Sequence, residues 1–170
     1  MKTPFLAILL LVISFSACER GPEGPQGPQG NANVQSVTLS IPANQWYHIG
    51  TSGVPGERWE TSQIISILTQ DIVNTGAVNV YVSGNGTLWT ALPYTYPTGT
   101  GSANYSESWI FSYQLNNLVL DMQDSDFFTQ APTSTVFVKV VAVASAGRKA
   151  NPDLDWTNYS AVKAAFDLKD

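Results

Sequence analysis

Alternation of apolar and polar residues is the main pattern of the chain after residue 32. In Val34–Ile41, the apolar Val37, Leu39 and Ile41 alternate with polar residues, and this period of two predicts a half-buried strand. Residues 134–145 are apolar at both alternating sets of positions. A strand that is apolar on both faces is typical of the centre of a sheet, so this segment predicts a central strand.

Shorter apolar runs predict further strands, separated by turn residues. Gly84-Asn85-Gly86 and Asn116-Asn117 stand at hairpin spacings. Residues 50–57 and 93–103 are rich in Gly, Pro and Thr and predict loops. The other predicted strands are residues 45–49, 64–68, 77–82, 87–92, 105–115 and 118–122. About eight short strands indicate a mainly β fold, an antiparallel two-sheet sandwich that is jelly-roll-like.

Two segments have helical patterns. Residues 69–76 begin with a residue type that caps helices and end with glycine, which predicts one or two helical turns. Residues 157–168 place apolar side chains on one helical stripe and predict a short amphipathic C-terminal helix that docks on the sandwich. Asp155 or Thr157 is the expected N-cap. The stripe consists of Tyr159, Val162 and Phe166.

The first seventeen residues have the pattern of an export signal. Lys2 precedes an apolar run, residues 5–13, that is shorter than the roughly 20 residues needed to span a bilayer. Ser16 and Ala17 then precede Cys18, the only cysteine of the chain. This placement resembles the lipobox of Gram-negative bacterial lipoproteins. The resemblance implies that residues 1–17 are a signal peptide and that Cys18 becomes a lipidated N-terminus.

A Gly-Pro segment follows the cysteine. Gly stands at every third position of residues 21–30 and Pro after it, as in collagen, where only glycine fits the axis of the triple helix. Three triplets are few for a stable triple helix, so the segment predicts an extended spacer, with a trimeric stalk as the alternative. We therefore divide the chain into a signal peptide, a lipidated N-terminus with linker at residues 18–32, and one β-domain at residues 33–170.

Composition narrows the functional classes. The formal net charge is −5, and loss of Lys2 with the signal would make it one unit more negative. Basic residues form no cluster, so nucleic acid is not an expected partner. Only 12% of residues are charged and 11% are aromatic, which allows a substantial core. No feature of the sequence calls for a cofactor.

Catalytic motifs are weak. The single histidine, His48, lies on a predicted strand, and the chain has no G-x-S-x-G nucleophile motif. A glycosidase needs only two carboxyl groups at a suitable distance, and Glu57, Glu60, Glu107 and the aspartates are available, although the sequence singles out no pair. We expect a protein that is not an enzyme.

Two groups of residues are candidates for ligand contacts. Asp121, Asp124 and Asp126 could supply carboxylate oxygens to calcium, although solvated carboxylates at a strand end are the simpler interpretation. Tyr94 and Tyr96 lie between prolines in a predicted polar loop and could stack on a sugar ring or contact a protein. Trp89 is a further ligand candidate, although an aromatic at this position also suits the core.

The chain as a whole resembles small collagen-like-repeat lipoproteins of the Gram-negative envelope. The resemblance rests on the lipobox, the GPxGPxG spacer and four segments of the β-domain, which are TQDIVNTGAVNVYVS, LWTALPY, FVKVVAV and DWTNYSAVKAAF. It implies a β-sandwich anchored by lipid at the outer membrane or cell surface. That family has no assigned activity, so the resemblance implies no catalytic or binding residues.

Three functions remain open from the sequence. The first is a non-catalytic, membrane-anchored lipoprotein whose β-domain binds a protein or a glycan. The second is a structural envelope component that self-assembles, as a trimer, through the Gly-Pro segment. The third is a glycan hydrolase.

Overall fold

The computed structural model describes residues 33–99 and 104–168. These residues fall in one compact unit. The predicted signal peptide, Cys18, the Gly-Pro segment and residues 100–103 of the predicted loop lie outside the described residues. None of the helices within the described ranges has the length and apolarity that crossing a membrane requires.

The described residues form two antiparallel sheets. The strands are β1 (Val34–Ile41), β2 (Tyr47–Ile49), β3 (Arg58–Ile64), β4 (Ala77–Ser83), β5 (Thr90–Ala91), β6 (Tyr94–Thr98), β7 (Tyr105–Gln114), β8 (Asn117–Asp124) and β9 (Val136–Val143). One sheet has the order β1-β9-β4-β5 and the other has the order β2-β3-β8-β7-β6. This confirms the predicted mainly β, two-sheet architecture.

Residues from both sheets fill the core between them. On β9, Val138 and Val140 are fully buried and face this core, as do Leu118 and Leu120 of β8. The other face of β9 is also buried, because the C-terminal segment covers it. The central position of β9, between β1 and β4, confirms the prediction from its two apolar faces.

The described residues also contain three α-helices, of which α1 (Gln70–Thr75) connects β3 to β4, while α2 (Ser145–Ala150) and α3 (Tyr159–Phe166) follow β9; a short 3-10 helix, Ala43–Gln45, lies between β1 and β2. Thr69 caps α1 as the sequence predicts, and its side chain accepts a hydrogen bond from the backbone N–H of Ile72. The predicted cap of α3 is wrong. Asn158 accepts from the backbone N–H of Ala161, whereas Asp155 accepts from Thr157 in the preceding turn.

Helix α3 packs on the outer face of the four-stranded sheet through its predicted apolar stripe. Tyr159, Val162 and Phe166 are buried there. Tyr81 of β4 is fully buried beneath them and donates a hydrogen bond from its hydroxyl to the carbonyl of Trp156 at 2.7 Å. Lys139 of β9 is also buried, with its Nζ 2.6 Å from the Tyr159 hydroxyl.

The prediction of a strand at residues 64–68 is wrong. The strand in this region is β3, Arg58–Ile64, and most of its residues are polar. Ile65 and Leu68 are buried in the connection to α1, so their apolar character reflects core filling rather than strand formation. Ile64 ends the strand and is 88% exposed.

The prediction of a loop over residues 93–103 is also wrong in its described part. Tyr94–Thr98 forms β6, which pairs antiparallel with β7. β6 is an edge strand and pairs with β7 only. Edge strands tolerate proline, because the missing N–H of Pro97 need not bond to a second neighbouring strand. This strand places two tyrosines on the inner face of the sandwich.

Candidate functional site

The edge strand β6 presents a pair of stacked tyrosine rings. Tyr94 and Tyr96 are two residues apart and therefore point to the same face of the sheet. Their ring centroids are 5.5 Å apart and the ring planes differ by 25°. Tyr94 is 42% exposed and Tyr96 is half-buried. A flat, partly exposed aromatic surface of this kind can stack against a ligand ring.

A cavity of about 380 Å³ lies beside these rings, between the edges of the two sheets. This volume is near the lower end of the range of roughly 300 to 1,000 Å³ that small-molecule sites occupy. Trp109 is held in place because its ring packs edge-on against the buried Trp46, with centroids 5.5 Å apart. The apolar wall consists of Val82, Leu88, Tyr94, Tyr96, Trp109 and Val136.

Short polar side chains complete the lining. Ser83 ends β4 and Asn85 lies in the turn that follows, which is held by its own hydrogen bonds. The Ser83 hydroxyl accepts from the backbone N–H of Gly86 at 2.9 Å, and Asn85 Oδ1 accepts from the N–H of Leu88 at 3.0 Å. The cavity therefore has a preorganised polar rim of Ser83, Asn85, Thr90, Ser134 and Thr135.

Glu107 of β7 supports the aromatic wall from behind. It lies directly opposite Tyr96 in the β6–β7 ladder and accepts a hydrogen bond from the Tyr96 hydroxyl. The same oxygen, Oε1, accepts from Trp109 Nε1 at 2.6 Å. Burial and the carboxylate of Glu107 both raise the pKa of Tyr96, so its phenol stays protonated. Glu107 therefore fixes two of the cavity's aromatic side chains.

Asp124 is the next carboxyl group across the sheet. It lies directly opposite Glu107 in the β7–β8 ladder and is only 4% exposed. Its Oδ1 is buried and accepts no hydrogen bond. Burial, followed by the nearby charges of Glu107, Asp126 and Glu57, raises the pKa of Asp124 to about 6. A buried carboxylate oxygen that has no hydrogen-bond donor makes ionisation of its group more costly.

Glu57 is a second buried carboxyl group, and both of its oxygens have hydrogen-bond partners. Its Oε2 accepts from the hydroxyl of Thr129 at 2.7 Å and from the backbone N–H of Thr129 at 3.1 Å, while Oε1 lies 2.8 Å from His48 Nε2. Burial alone would raise the pKa of Glu57, but the hydrogen bonds from Thr129 and His48 outweigh it and lower that pKa. His48 therefore has a structural partner.

The structure brings together Tyr94 and Tyr96 but places the third aromatic candidate elsewhere. Trp89 packs over the outer face of the four-stranded sheet, with its ring centroid 5.6 Å from that of Tyr159. The Nζ of Lys139 lies 4.7 Å from its centroid. Trp89 does not line the cavity, because it belongs to the layer that α3 covers.

The predicted acidic cluster does not form. Asp121 and Asp124 are three positions apart on β8 and point to opposite faces. Asp121 is bonded to Arg58 Nε at 2.9 Å on the outer face, whereas Asp124 faces inward. Asp126 is exposed and accepts from the N–H of Phe128. Residues 33–99 and 104–168 contain no group of three His, Cys, Asp or Glu side chains that could hold a metal ion.

Sequence reasoning missed Trp109 and the pairing of Glu107 with Asp124. The order of strands in the sheet creates that pair, and residues 107 and 124 are far apart in the chain. Glu107 was one of several candidate carboxylates, and nothing in the sequence distinguished it from the others. The hairpin spacing at Asn116 offered a signal, because extending that register places Glu107 opposite Asp124. No protein-family model, curated protein or solved structure matches this chain.

Proposed function

We propose that this protein is a non-catalytic envelope lipoprotein, anchored by lipid on Cys18, whose β-sandwich binds a glycan in the cavity beside Tyr94 and Tyr96. The observation that carries the proposal is the stacked tyrosine pair on the wall of a cavity with hydroxyl groups at its rim. Sugar rings have apolar faces and polar edges, and this site offers aromatic surface and short polar groups together.

The arrangement of the chain is consistent with this role. The Gly-Pro segment would extend by about 3.1 Å per residue, so residues 18–31 would span roughly 40 Å. It leads into β1 at Val34, which pairs with Val143 at one end of the sheet. Val136, at the other end of the same strand pair, lines the cavity. The cavity and Val34, where β1 begins, thus lie at opposite ends of the β1–β9 pair.

We expect Tyr94→Ala to weaken glycan binding about tenfold, because it removes the more exposed ring of the pair. An aromatic contact is worth about 0.5–1.5 kcal/mol beyond its buried area, and a factor of ten in affinity corresponds to about 1.4 kcal/mol. The wild-type domain would first be screened on an array of oligosaccharides. The affinity of each bound sugar for the wild type and the variant would then be measured by calorimetry.

Tyr47→Ala is the matched control for this experiment. Tyr47 is 60% exposed on β2 and does not line the cavity. Its replacement should leave the affinity unchanged. Equal binding by the wild type and Tyr94→Ala, or equal losses in the two variants, would remove the cavity from consideration.

Lipidation of Cys18 is a separate expectation. Mass spectrometry of the mature protein from its native cell should find a chain that begins at Cys18 and carries acyl groups. Each acyl CH₂ that enters the membrane contributes about 0.8 kcal/mol, so several acyl chains hold a protein firmly. Cys18→Ala should release the protein from the membrane fraction. An unmodified thiol, or another N-terminus, would contradict the anchor.

A glycan hydrolase is the second candidate, and one observation favours it. Asp124 and Glu107 are adjacent carboxyl groups, and the pKa of Asp124 is raised to about 6, as a general acid requires. However, Asp124 is 4% exposed and does not line the cavity. A substrate in the cavity would not reach it, so binding is the better supported function.

A further inference from the structure

The cavity has two apolar walls, and they come from opposite sheets. Tyr94, Tyr96 and Trp109 belong to the five-stranded sheet, whereas Val82 of β4 and Val136 of β9 belong to the four-stranded sheet. Val82, Val136 and Trp109 pack against the core between the sheets, and Tyr94 lies directly opposite Trp109 in the β6–β7 ladder. A ligand in the cavity therefore has an aromatic wall on one side and an aliphatic wall on the other.

Neither wall offers a hydrogen-bond partner to a ligand face that lies against it. The Tyr96 hydroxyl and Trp109 Nε1 already donate to Glu107 Oε1. The Tyr94 hydroxyl lies in the plane of its ring, so a sugar stacked on the face of that ring does not bond to it. The side chains of Val82 and Val136 have no polar atom. The two walls therefore favour a ligand whose two faces are both apolar.

Hydrogen-bonding groups are found at the border of the aliphatic wall. Thr90 lies on the edge strand β5, directly beside Val82, and Ser134 and Thr135 precede β9. Each of these three residues lines the cavity, and its hydroxyl bonds to no other residue in the described ranges. No charged side chain is among the described lining residues. The complement of this rim is therefore a set of hydroxyl groups around the edge of a ring.

We propose that the cavity selects pyranoses whose ring substituents are all equatorial, as in β-linked glucose. This inference rests on the proposed glycan binding and specifies its ligand class. Equatorial hydroxyls point outward near the plane of the ring, so both ring faces present C–H groups to the two walls. An axial hydroxyl points out of one face and into a wall that has no partner for it. Burying a polar group without a hydrogen bond is unfavourable.

The test compares two tetrasaccharides that differ in one configuration. Cellotetraose and β-1,4-linked mannotetraose have the same composition and linkage, but the hydroxyl at C2 is equatorial in the first and axial in the second. Calorimetry would measure the affinity of the protein for each. We expect cellotetraose to bind at least about tenfold more tightly. This factor corresponds to about 1.4 kcal/mol, which lies within the usual cost of burying an unpaired hydroxyl.

Val136→Thr tests the role of the aliphatic wall. It replaces a methyl group by a hydroxyl of similar size, which gives the axial hydroxyl of mannotetraose a partner. The affinities for the two tetrasaccharides should then differ by less than about threefold. Val119→Thr is the matched control, because Val119 is also a half-buried strand valine and does not line the cavity. It should retain the wild-type preference.

The possible outcomes separate the two proposals. If the wild type binds both tetrasaccharides equally, or mannotetraose more tightly, the configurational inference is overturned and glycan binding stands. Binding of neither also overturns the inference, while the oligosaccharide array decides glycan binding independently. An undiminished preference in Val136→Thr overturns it as well. If that variant does not fold, NMR of the wild type decides: cellotetraose should shift the methyl signals of Val82 and Val136, and unshifted signals overturn the inference.

Discussion

Asp124→Asn is expected to raise the free energy of unfolding at pH 7 by about 2 kcal/mol. Asp124 is buried, its Oδ1 has no hydrogen-bond partner, and Glu107 lies directly opposite. Ionising it inside the folded protein is therefore costly, and its pKa rises from the usual 3.8 to about 6. Each pKa unit corresponds to 1.36 kcal/mol, so about 3 kcal/mol is the upper limit for this shift. The amide carries no charge and adds a donor.

The stability that Asp124→Asn gains over the wild type should increase as the pH rises. Because the folded pKa of Asp124 is higher than the unfolded one, the folded protein binds more protons between about pH 4 and pH 6. This residue therefore makes the wild type lose stability as the pH rises through that window. The difference in unfolding free energy between Asp124→Asn and the wild type should be small at pH 4, grow to pH 6 and stay constant above.

Urea denaturation of both proteins at several pH values measures this difference. Asp153→Asn is the matched control, because it removes one exposed carboxylate and should change stability by less than about 0.5 kcal/mol at every pH. A destabilised Asp124→Asn variant at pH 7 would contradict the prediction. A gain that is as large at pH 4 as at pH 7 would show that the carboxylate charge is not its cause.

Glu57→Ala should lower the free energy of unfolding at pH 7 by about 3 kcal/mol. Glu57 is fully buried and accepts from both the hydroxyl and the N–H of Thr129. Thr129 in turn accepts from Trp59 Nε1 and from the N–H of Asp124, so it ties the segment after β8 to two strands. Removing the carboxylate leaves buried donors without partners, at a cost of about 1–3 kcal/mol for each group, and opens a cavity.

Glu57→Gln removes the charge of this side chain but keeps its volume, so it separates the contributions of charge and packing to stability. The glutamine fills the same space and can still accept from Thr129, so we expect a loss of about 1 kcal/mol. The pH dependence has the opposite sign to that of Asp124. Because the folded pKa of Glu57 is lowered, its contribution is complete above the unfolded pKa and is lost as the pH falls through the folded pKa. Equal stability of wild type and Glu57→Ala in urea would contradict the role of this carboxylate.

Local patterns were sufficient for several elements. The alternation in Val34–Ile41 and the two apolar faces around Val138 predicted β1 and the central strand β9 correctly. The stripe of Tyr159, Val162 and Phe166 predicted α3 and its buried face. Each of these elements spans eight residues, and its burial follows the local pattern, so neighbouring residues in the sequence were sufficient to predict it.

Other elements depend on partners that the local sequence does not reveal. β3 was missed because its residues are mostly polar, and pairing with both β2 and β8 stabilises it as a strand. β6 was missed because Pro93 and Pro97 indicate a loop, and its status as an edge strand was unknown. Strand formation at these positions is therefore a property of the sheet rather than of the segment.

The sequence identified only part of the candidate site. Tyr94 and Tyr96 were identified from their composition and setting, but their pairing on one face required that Tyr94–Thr98 be a strand. The third aromatic candidate, Trp89, packs on the outer face of the four-stranded sheet, away from the cavity. Three aspartates close together in the chain were separated, because alternate residues of a strand point to opposite faces.

By itself the sequence determined the mainly β class, the central strand, the C-terminal helix and the two tyrosines as candidates for contact. These features depend on periodicity and composition, which act over a few residues. Only the tertiary structure decided that Glu107 lies beside Tyr96 and Asp124, and that Trp109 completes the cavity wall. Those contacts join separate strands, and their register is set by which faces the whole sandwich buries.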